Sequence, residues 1–262
     1  MYVEARGSGP RHFLGLHGWN GTLATFQPMT QDLPPDVTFW SADLPGCGRS
    51  PLPPALTLEA VLEDALAAID QLPAPMTLVG NCSGAVLGLL LMAHRPERFN
   101  RLVMIDAFAF LPWYFRVFLS PIGRYAYWTT FANPLGRVIT NLALKARRTP
   151  QTNLTADFRH ADHVTMPAYL RIFEEAAACI DFAAVTSPVD VLYGERTFTA
   201  VRQSLAFWQA RLRVARVECL RGAGHLPLQE AAAQVRDILF IAPRIEDNSC
   251  SIPDTPSPAH AR

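Results

Sequence analysis

Gly80-Asn81-Cys82-Ser83-Gly84 is the stretch that decides the fold. It has the spacing of a nucleophile elbow, a strained strand-to-helix turn whose small flanking residues let the backbone bend sharply. Cysteine stands where serine is usual. The run before it, Met76-Thr77-Leu78-Val79, is apolar enough for a buried strand, and Ala85 to Met92 reads as a helix packed behind the turn. Ser83 does not fit as the nucleophile, because Asn81 and Ala85 would then flank it. Cys82 is therefore the candidate nucleophile.

Working outward, short β-rich runs alternate with helical ones, the pattern of an α/β domain with a mainly parallel sheet and crossover helices. Strands are expected at 12–16, 37–42, 76–80, 101–106, 189–194 and 216–220, and helices at 58–71, 84–94, 197–212 and 228–240. Gly7-Ser8-Gly9-Pro10 reads as a hairpin turn. From about 108 to 185 the alternation breaks into a helical, aromatic, loop-rich interval. That fits an inserted cap over the C-terminal sheet edge, where open α/β sheets bind ligands. One domain over 1–242 is expected. Residues 243–262, rich in Pro, Ser and charge, read as a disordered tail.

Three further groups complete a candidate site. Acyl transfer needs two backbone N–H groups aimed at the developing oxyanion. Ser83 supplies one as the residue after the nucleophile, and Trp19, in His17-Gly18-Trp19 after an early strand, is the best-placed second donor. His17 itself reads as loop-shaping. Near the C-terminus, Gly222-Ala223-Gly224-His225-Leu226-Pro227 places His225 on a loop after the last strand, where a base for a thiol must sit. The competing reading of His225 is a turn histidine paired with Glu230.

These motifs, together with Asp43-Leu44-Pro45-Gly46-Cys47-Gly48-Arg49-Ser50, resemble in type and order those of α/β-hydrolase-fold enzymes carrying a cap, over about residues 1–242. At the elbow alone the cysteine is similar to that of dienelactone hydrolases and polyhydroxyalkanoate synthases. The resemblance implies a Cys82–His225 pair and an acid. The family's common pattern puts an aspartate three residues past the glycine of the penultimate strand, but Gly194-Glu195-Arg196-Thr197 has threonine there. Threonine cannot carry the charge that stabilises an imidazolium. Asp106, at the end of the strand after the elbow, resembles the acid site of some haloalkane dehalogenases. Glu195 and a dyad without an acid remain open, as does a capping role for Asp106. A thiol ionises near ~8.5, so loss of the usual aspartate is less damaging here than for serine.

Composition sets the outer bounds. The 262 residues are 50% hydrophobic, with 23 basic against 23 acidic side chains, which gives no reason to expect a nucleic acid or an anionic membrane as partner. No apolar stretch reaches the ~20 residues of a membrane span, and the N-terminus lacks a signal-peptide layout. Five scattered cysteines argue against a disulfide framework and a clustered metal site, and suit a reducing cytoplasm. No cofactor or metal is expected. The aromatics from Phe108 to Phe131 read mainly as cap packing beside an apolar pocket, and Lys145-Ala146-Arg147-Arg148 as a solvated face. The expected activity is cleavage of an ester or thioester of an apolar acyl group, free or carrier-bound, through an acyl-Cys82 intermediate. An acyltransferase or cyclase, and a silent binding protein of the same fold, are the alternatives.

Overall fold

The computed structural model describes residues 1–241; the expected tail, 243–262, lies outside the described residues. Seven strands form one sheet: β1 (Tyr2–Gly7), β2 (Arg11–Leu16), β3 (Val37–Asp43), β4 (Met76–Asn81), β5 (Phe99–Ile105), β6 (Val189–Gly194) and β7 (Val214–Leu220), in the order β1-β3-β2-β4-β5-β6-β7. Every pairing is parallel except β1 on β3. The six expected strands are present within two residues at each end.

β1 has no counterpart among those expectations, and its connection corrects one of them. Gly7–Pro10 does not close a hairpin, because β3 lies between β1 and β2. The turn crosses the end of β3, where the Gly9 N–H donates to Val37 O at 3.3 Å.

Alternation along the strands feeds two cores. Leu14, Leu78, Leu102 and Val191 face one side, and Phe13, Val79, Val103 and Leu192 the other. A parallel sheet buried on both faces needs such strands. The principal helices are α1 (Leu58–Ile69), α2 (Ser83–His94), α3 (Pro134–Ala143), α4 (Thr165–Ala178), α5 (Thr199–Arg211) and α6 (Ala232–Phe240). The helix expected at 228–240 is broken at Ala231, which has φ −136° and ends the short turn Pro227–Glu230. Ser83 to Met92 of α2 is buried along its whole length, with the sheet on one side and α1 and α4 on the other. Its apolar run therefore has no polar stripe.

Everything between β5 and β6 belongs to one long crossover. It holds short helical turns from Trp113 to Ala132, then α3 and α4. Among the described residues no helix is long and apolar enough to cross a membrane.

The elbow is held by close backbone approach. Cys82 has φ 52° and ψ −118°, a strained conformation for a residue with a side chain. Its N–H donates to Ile105 O at 2.7 Å, and its carbonyl accepts from Ala85 N–H at 3.2 Å. A Cβ on Gly84 would sit 2.2 Å from Leu16 O and 2.5 Å from His17 O, so only glycine lets α2 start this close to β2. Gly84→Ala should therefore destabilise the protein by ~1–3 kcal/mol or more, the usual range for overpacking. Urea unfolding checks this, and an unchanged midpoint would contradict the packing described.

Candidate active site

Three elements bring Cys82, Asp106 and His225 to the C-terminal edge of the sheet. Cys82 occupies the β4–α2 turn. Asp106 follows β5 with φ 51° and is fully buried. His225 lies on the loop after β7, anchored by its N–H donating to Arg147 O at 2.8 Å. The His225 Nδ1 lies 2.8 Å from Asp106 Oδ2. The other Asp106 oxygen, Oδ1, accepts from Gly194 N–H at 2.8 Å, and Thr197 Oγ1 donates to Oδ2 at 2.5 Å. Every donor a buried carboxylate requires is thus supplied.

Glu195 does not meet His225. Its Oε2 accepts from Gly222 N–H at 2.7 Å, on an exposed turn. Glu230 does not pair with the His225 ring either. It accepts from Gly224 N–H at 2.6 Å and Thr149 N–H at 2.6 Å, bracing the histidine loop through the main chain.

Burial works against a charged His225, but hydrogen bonds to Asp106 and Cys82 outweigh it and raise the imidazole from 6.5 to about 10. The ring keeps 14% of its surface exposed, toward the cleft. Phe198 and Phe108 flank it at 4.7 and 5.4 Å between ring centroids.

The loop from His17 to Trp19 runs directly over the elbow: a Cβ on Gly18 would approach Cys82 Cβ to 2.8 Å. His17 is fully buried and shapes this loop, as its sequence context suggests. Its Nε2 accepts from Leu44 N–H at 3.0 Å, so Nδ1 carries the proton and donates to Gly18 O at 2.9 Å. Burial lowers its pKa, and the ring stays neutral. Asp43 completes the brace by accepting from Leu23 N–H at 2.6 Å and Arg49 N–H at 2.8 Å. The Trp19 ring turns away into Phe115, Phe131 and Phe158, all within 5.3 Å between centroids, and its Nε1 donates to Met166 O at 2.9 Å. Ser83 opens α2, so its N–H has no intrahelical acceptor. Trp19, Cys82, Ser83 and His225 border a cavity of about 750 Å³, with much of its wall built from the β5–β6 crossover.

Two features escaped the sequence reading. Lys145–Arg148 is not a solvated face throughout. Arg147 donates to Thr197 O at 2.8 Å and Arg148 to Thr149 O and Thr152 O at 2.8 and 2.7 Å, because the segment packs against the histidine loop. Tyr114, grouped with the packing aromatics, also has a polar end in the site. Its Oη is buried without a hydrogen-bond partner among the described residues. Burial, then the charge of nearby Cys82, push the phenol up to about 12, with Arg147 pulling the other way.

Residues 13–238 match the model of the alpha/beta hydrolase family. Pimeloyl-[acyl-carrier protein] methyl ester esterase of Klebsiella pneumoniae subsp. pneumoniae is 32% identical over 105 residues, 40% of this chain and 40% of that protein. Lipase LipV of Mycobacterium tuberculosis is 31% identical over 108 residues, 40% of this chain and 41% of that one. The chain thus matches about two fifths of the length of these curated relatives. Among solved structures, a lipase-esterase related protein from Clostridium acetobutylicum superposes with a TM-score of 0.70 at 15% identity, covering 92% of this chain and 99% of that chain. The epoxide hydrolase VrEH1 of Vigna radiata gives a TM-score of 0.68 at 19% identity, covering 90% and 92%.

The His225 environment sets a titration. Its ring resonances should move near pH 10 in ¹H–¹³C spectra, and Cys82→Ala should bring that transition down. A midpoint between 6 and 7 in the parent would contradict the electrostatics described. Because the folded value lies above the unfolded 6.5, His225 favours folding fully below that pH and loses this contribution as pH climbs toward 10. His17 has the opposite sign, its lowered value costing stability as pH falls below 6.5.

Proposed function

The chain belongs to the alpha/beta hydrolase family, and from that premise we propose that it hydrolyses an ester or thioester of an apolar acyl group through an acyl-Cys82 intermediate. The observation that carries this reading is the line Cys82–His225–Asp106 at the edge of a largely apolar 750 Å³ cleft. The carrier-bound ester named for the Klebsiella relative supports an ester as the bond cleaved.

In this mechanism His225 holds the proton of the Cys82 thiol, and the sulfur attacks the acyl carbon. The N–H groups of Trp19 and Ser83 receive the oxyanion. Collapse of the tetrahedral intermediate breaks the ester bond as His225 gives its proton to the departing alcohol or thiol. Water then enters, His225 takes a proton from it, and hydroxide cleaves the thioester to release the acid and restore the thiol. Asp106 fixes the His225 tautomer and stabilises its charged form, while Thr197, at the position usual for the acid, supports Asp106 instead. The 108–185 interval serves as the cap. The Tyr114 hydroxyl, without a hydrogen-bond partner among the described residues, is the donor for a substrate oxygen.

Incubation with activated acyl esters and thioesters, followed by intact mass, tests the reading. An acyl adduct on Cys82 that turns over in water is expected, and Cys82→Ala should abolish both while leaving the fold intact. An adduct that discharges only to an added alcohol or amine would identify a transferase. No adduct at all would favour a silent binding protein.

Iodoacetamide should label Cys82 in competition with substrate. Cys47 is buried, and burial pushes its thiol up to about 12. Cys179 is exposed, so the labelling is read in a Cys179→Ser, Cys250→Ser background. Peptide mapping that finds Cys82 unmodified in active protein would overturn its role.

Asp106→Asn should lower turnover ~10–10³-fold, less than the ~10⁴ of a serine triad because a thiolate forms more easily. Glu195→Gln should be nearly neutral. Full activity in Asp106→Asn, with an unchanged circular-dichroism spectrum, would leave a Cys82–His225 dyad. Tyr114→Phe should cost ~2–12-fold in kcat/KM, the worth of one neutral hydrogen bond, without loss of stability because it removes an unpartnered atom. Unchanged kinetics would take Tyr114 out of the site.

A further inference from the structure

Helix α3 sits in the fold the wrong way round. An amphipathic helix normally buries its apolar stripe. Here Leu135, Val138, Ile139 and Leu142, spaced at i, i+3, i+4 and i+7, are 67, 56, 58 and 57% exposed. The polar face points inward. Arg137 donates to Phe131 O and Ala132 O at 3.0 and 2.9 Å, Asn141 Oδ1 accepts from Leu154 N–H at 3.1 Å, and Thr155 Oγ1 donates to Arg137 O at 3.1 Å. These bonds fix the orientation, so the apolar face cannot roll inward without breaking them. Two aromatics just upstream, Tyr125 and Trp128, are 76 and 56% exposed. A contiguous exposed apolar face marks an interaction surface.

The charge along this part of the chain is one-sided, although Arg116 pairs with Glu174 at 3.1 Å. Residues 107–156 contain six basic side chains (Arg116, Arg124, Arg137, Lys145, Arg147, Arg148) and no Asp or Glu, although the whole chain is balanced. Arg124 and Lys145 are exposed on either side of α3 along the chain. The face also reaches the cleft, since Ile139 and Ala143 line the cavity that holds Cys82.

We propose that this face docks on an anionic lipid surface, with α3 lying in the interface and its apolar side chains entering the acyl region. Exposed Trp and Tyr beside cations are the composition of interfacial helices. A second copy of the chain is disfavoured because pairing the face with itself would bring two positive segments together. An acidic protein is disfavoured because the guanidinium groups of Arg137, Arg147 and Arg148 are committed to main-chain carbonyls and are not free to grip fixed carboxylates. A diffuse lipid field requires only that the charges be near. Docking is independent of the proposed esterase chemistry. Its consequence, entry of lipid-dissolved ester at the Ile139 edge of the cleft, rests on that chemistry.

The test is co-sedimentation of the full chain with phosphatidylcholine vesicles, with and without about one third phosphatidylglycerol. The parent should bind the anionic vesicles and lose about tenfold or more of that binding on neutral ones or at high salt. Leu135→Asp with Val138→Asp should lose binding to a similar degree, about tenfold, while hydrolysis of a short soluble ester is unchanged. Arg124→Glu with Lys145→Glu should lose the preference for anionic vesicles. That charge pair decides the matter if the aspartate pair is unfolded by circular dichroism. The proposal is overturned if the parent ignores anionic vesicles, or if the folded aspartate pair binds them as well as the parent does. It is equally overturned if the face instead mediates self-association in sedimentation velocity, or captures an acidic carrier protein and no vesicles. A parent that binds vesicles but hydrolyses no ester would sink the esterase reading and leave docking standing.

Discussion

The buried carboxylate of Asp106 is the constraint on which the site depends. A charge with no solvent exposure is costly unless each of its oxygens is matched, and removing one partner of such a group leaves the rest worse off than if it had never been buried. Asp106 is matched by Gly194 N–H and the Thr197 hydroxyl from the turn after β6 and by the His225 ring from the loop after β7, two separate segments. One side chain after β5 therefore sets the distance between the β6 loop and the histidine loop. The positive φ of 51° at Asp106 is the local strain that turns it there, and a positive φ of 52° recurs at Cys82 one strand over. Two neighbouring strands thus end in strained residues whose side chains converge on His225, and the Cys82 N–H bond to Ile105 O ties the two turns together.

That arrangement gives the threonine at the usual acid position a physical role. With a carboxylate at 106, a second one at 197 would place two like charges against one imidazole in a buried site, and one of them would have to take up a proton. A hydroxyl avoids this, because it donates to Asp106 and carries no charge. Thr197 and Asp106 are therefore one unit spread over two strands, and neither residue's environment makes sense without the other.

Legibility in the sequence followed the range of the interactions. Cys82 and its turn were readable because an elbow is built from five consecutive residues with a strand before and a helix after. The strands were readable because a sheet buried on both faces demands continuous apolar runs such as Leu102 to Ile105. β1 was not, since its alternation is weak and its last three residues are exposed. The approach of Asp106 to His225 joins residues 119 positions apart, and the sequence put Asp106 forward as the acid while leaving Glu195 and a dyad without an acid open. The roles of Arg147, Arg148 and Glu230 were hidden for the same reason: apart from the Thr152 hydroxyl on Glu230, what they bind is main chain, which carries no sequence signature.

The orientation of α3 shows a different limit. Spacing at 135, 138, 139 and 142 identifies one apolar side of a helix, but periodicity alone does not say whether that side meets a core, a partner or solvent. What turns it outward is on the other side. Arg137 and Asn141 bind carbonyl and amide groups of the crossover, and those bonds hold the helix with its half-buried polar face toward the crossover. Net charge misleads in the same way, since 23 cations and 23 anions sum to zero while a fifty-residue segment holds cations only. An average over the chain hides such a segment. The crossover that walls the cleft is also where exposed apolar side chains and unbalanced positive charge accumulate, so the wall of the Cys82 cleft and the proposed docking face belong to one segment.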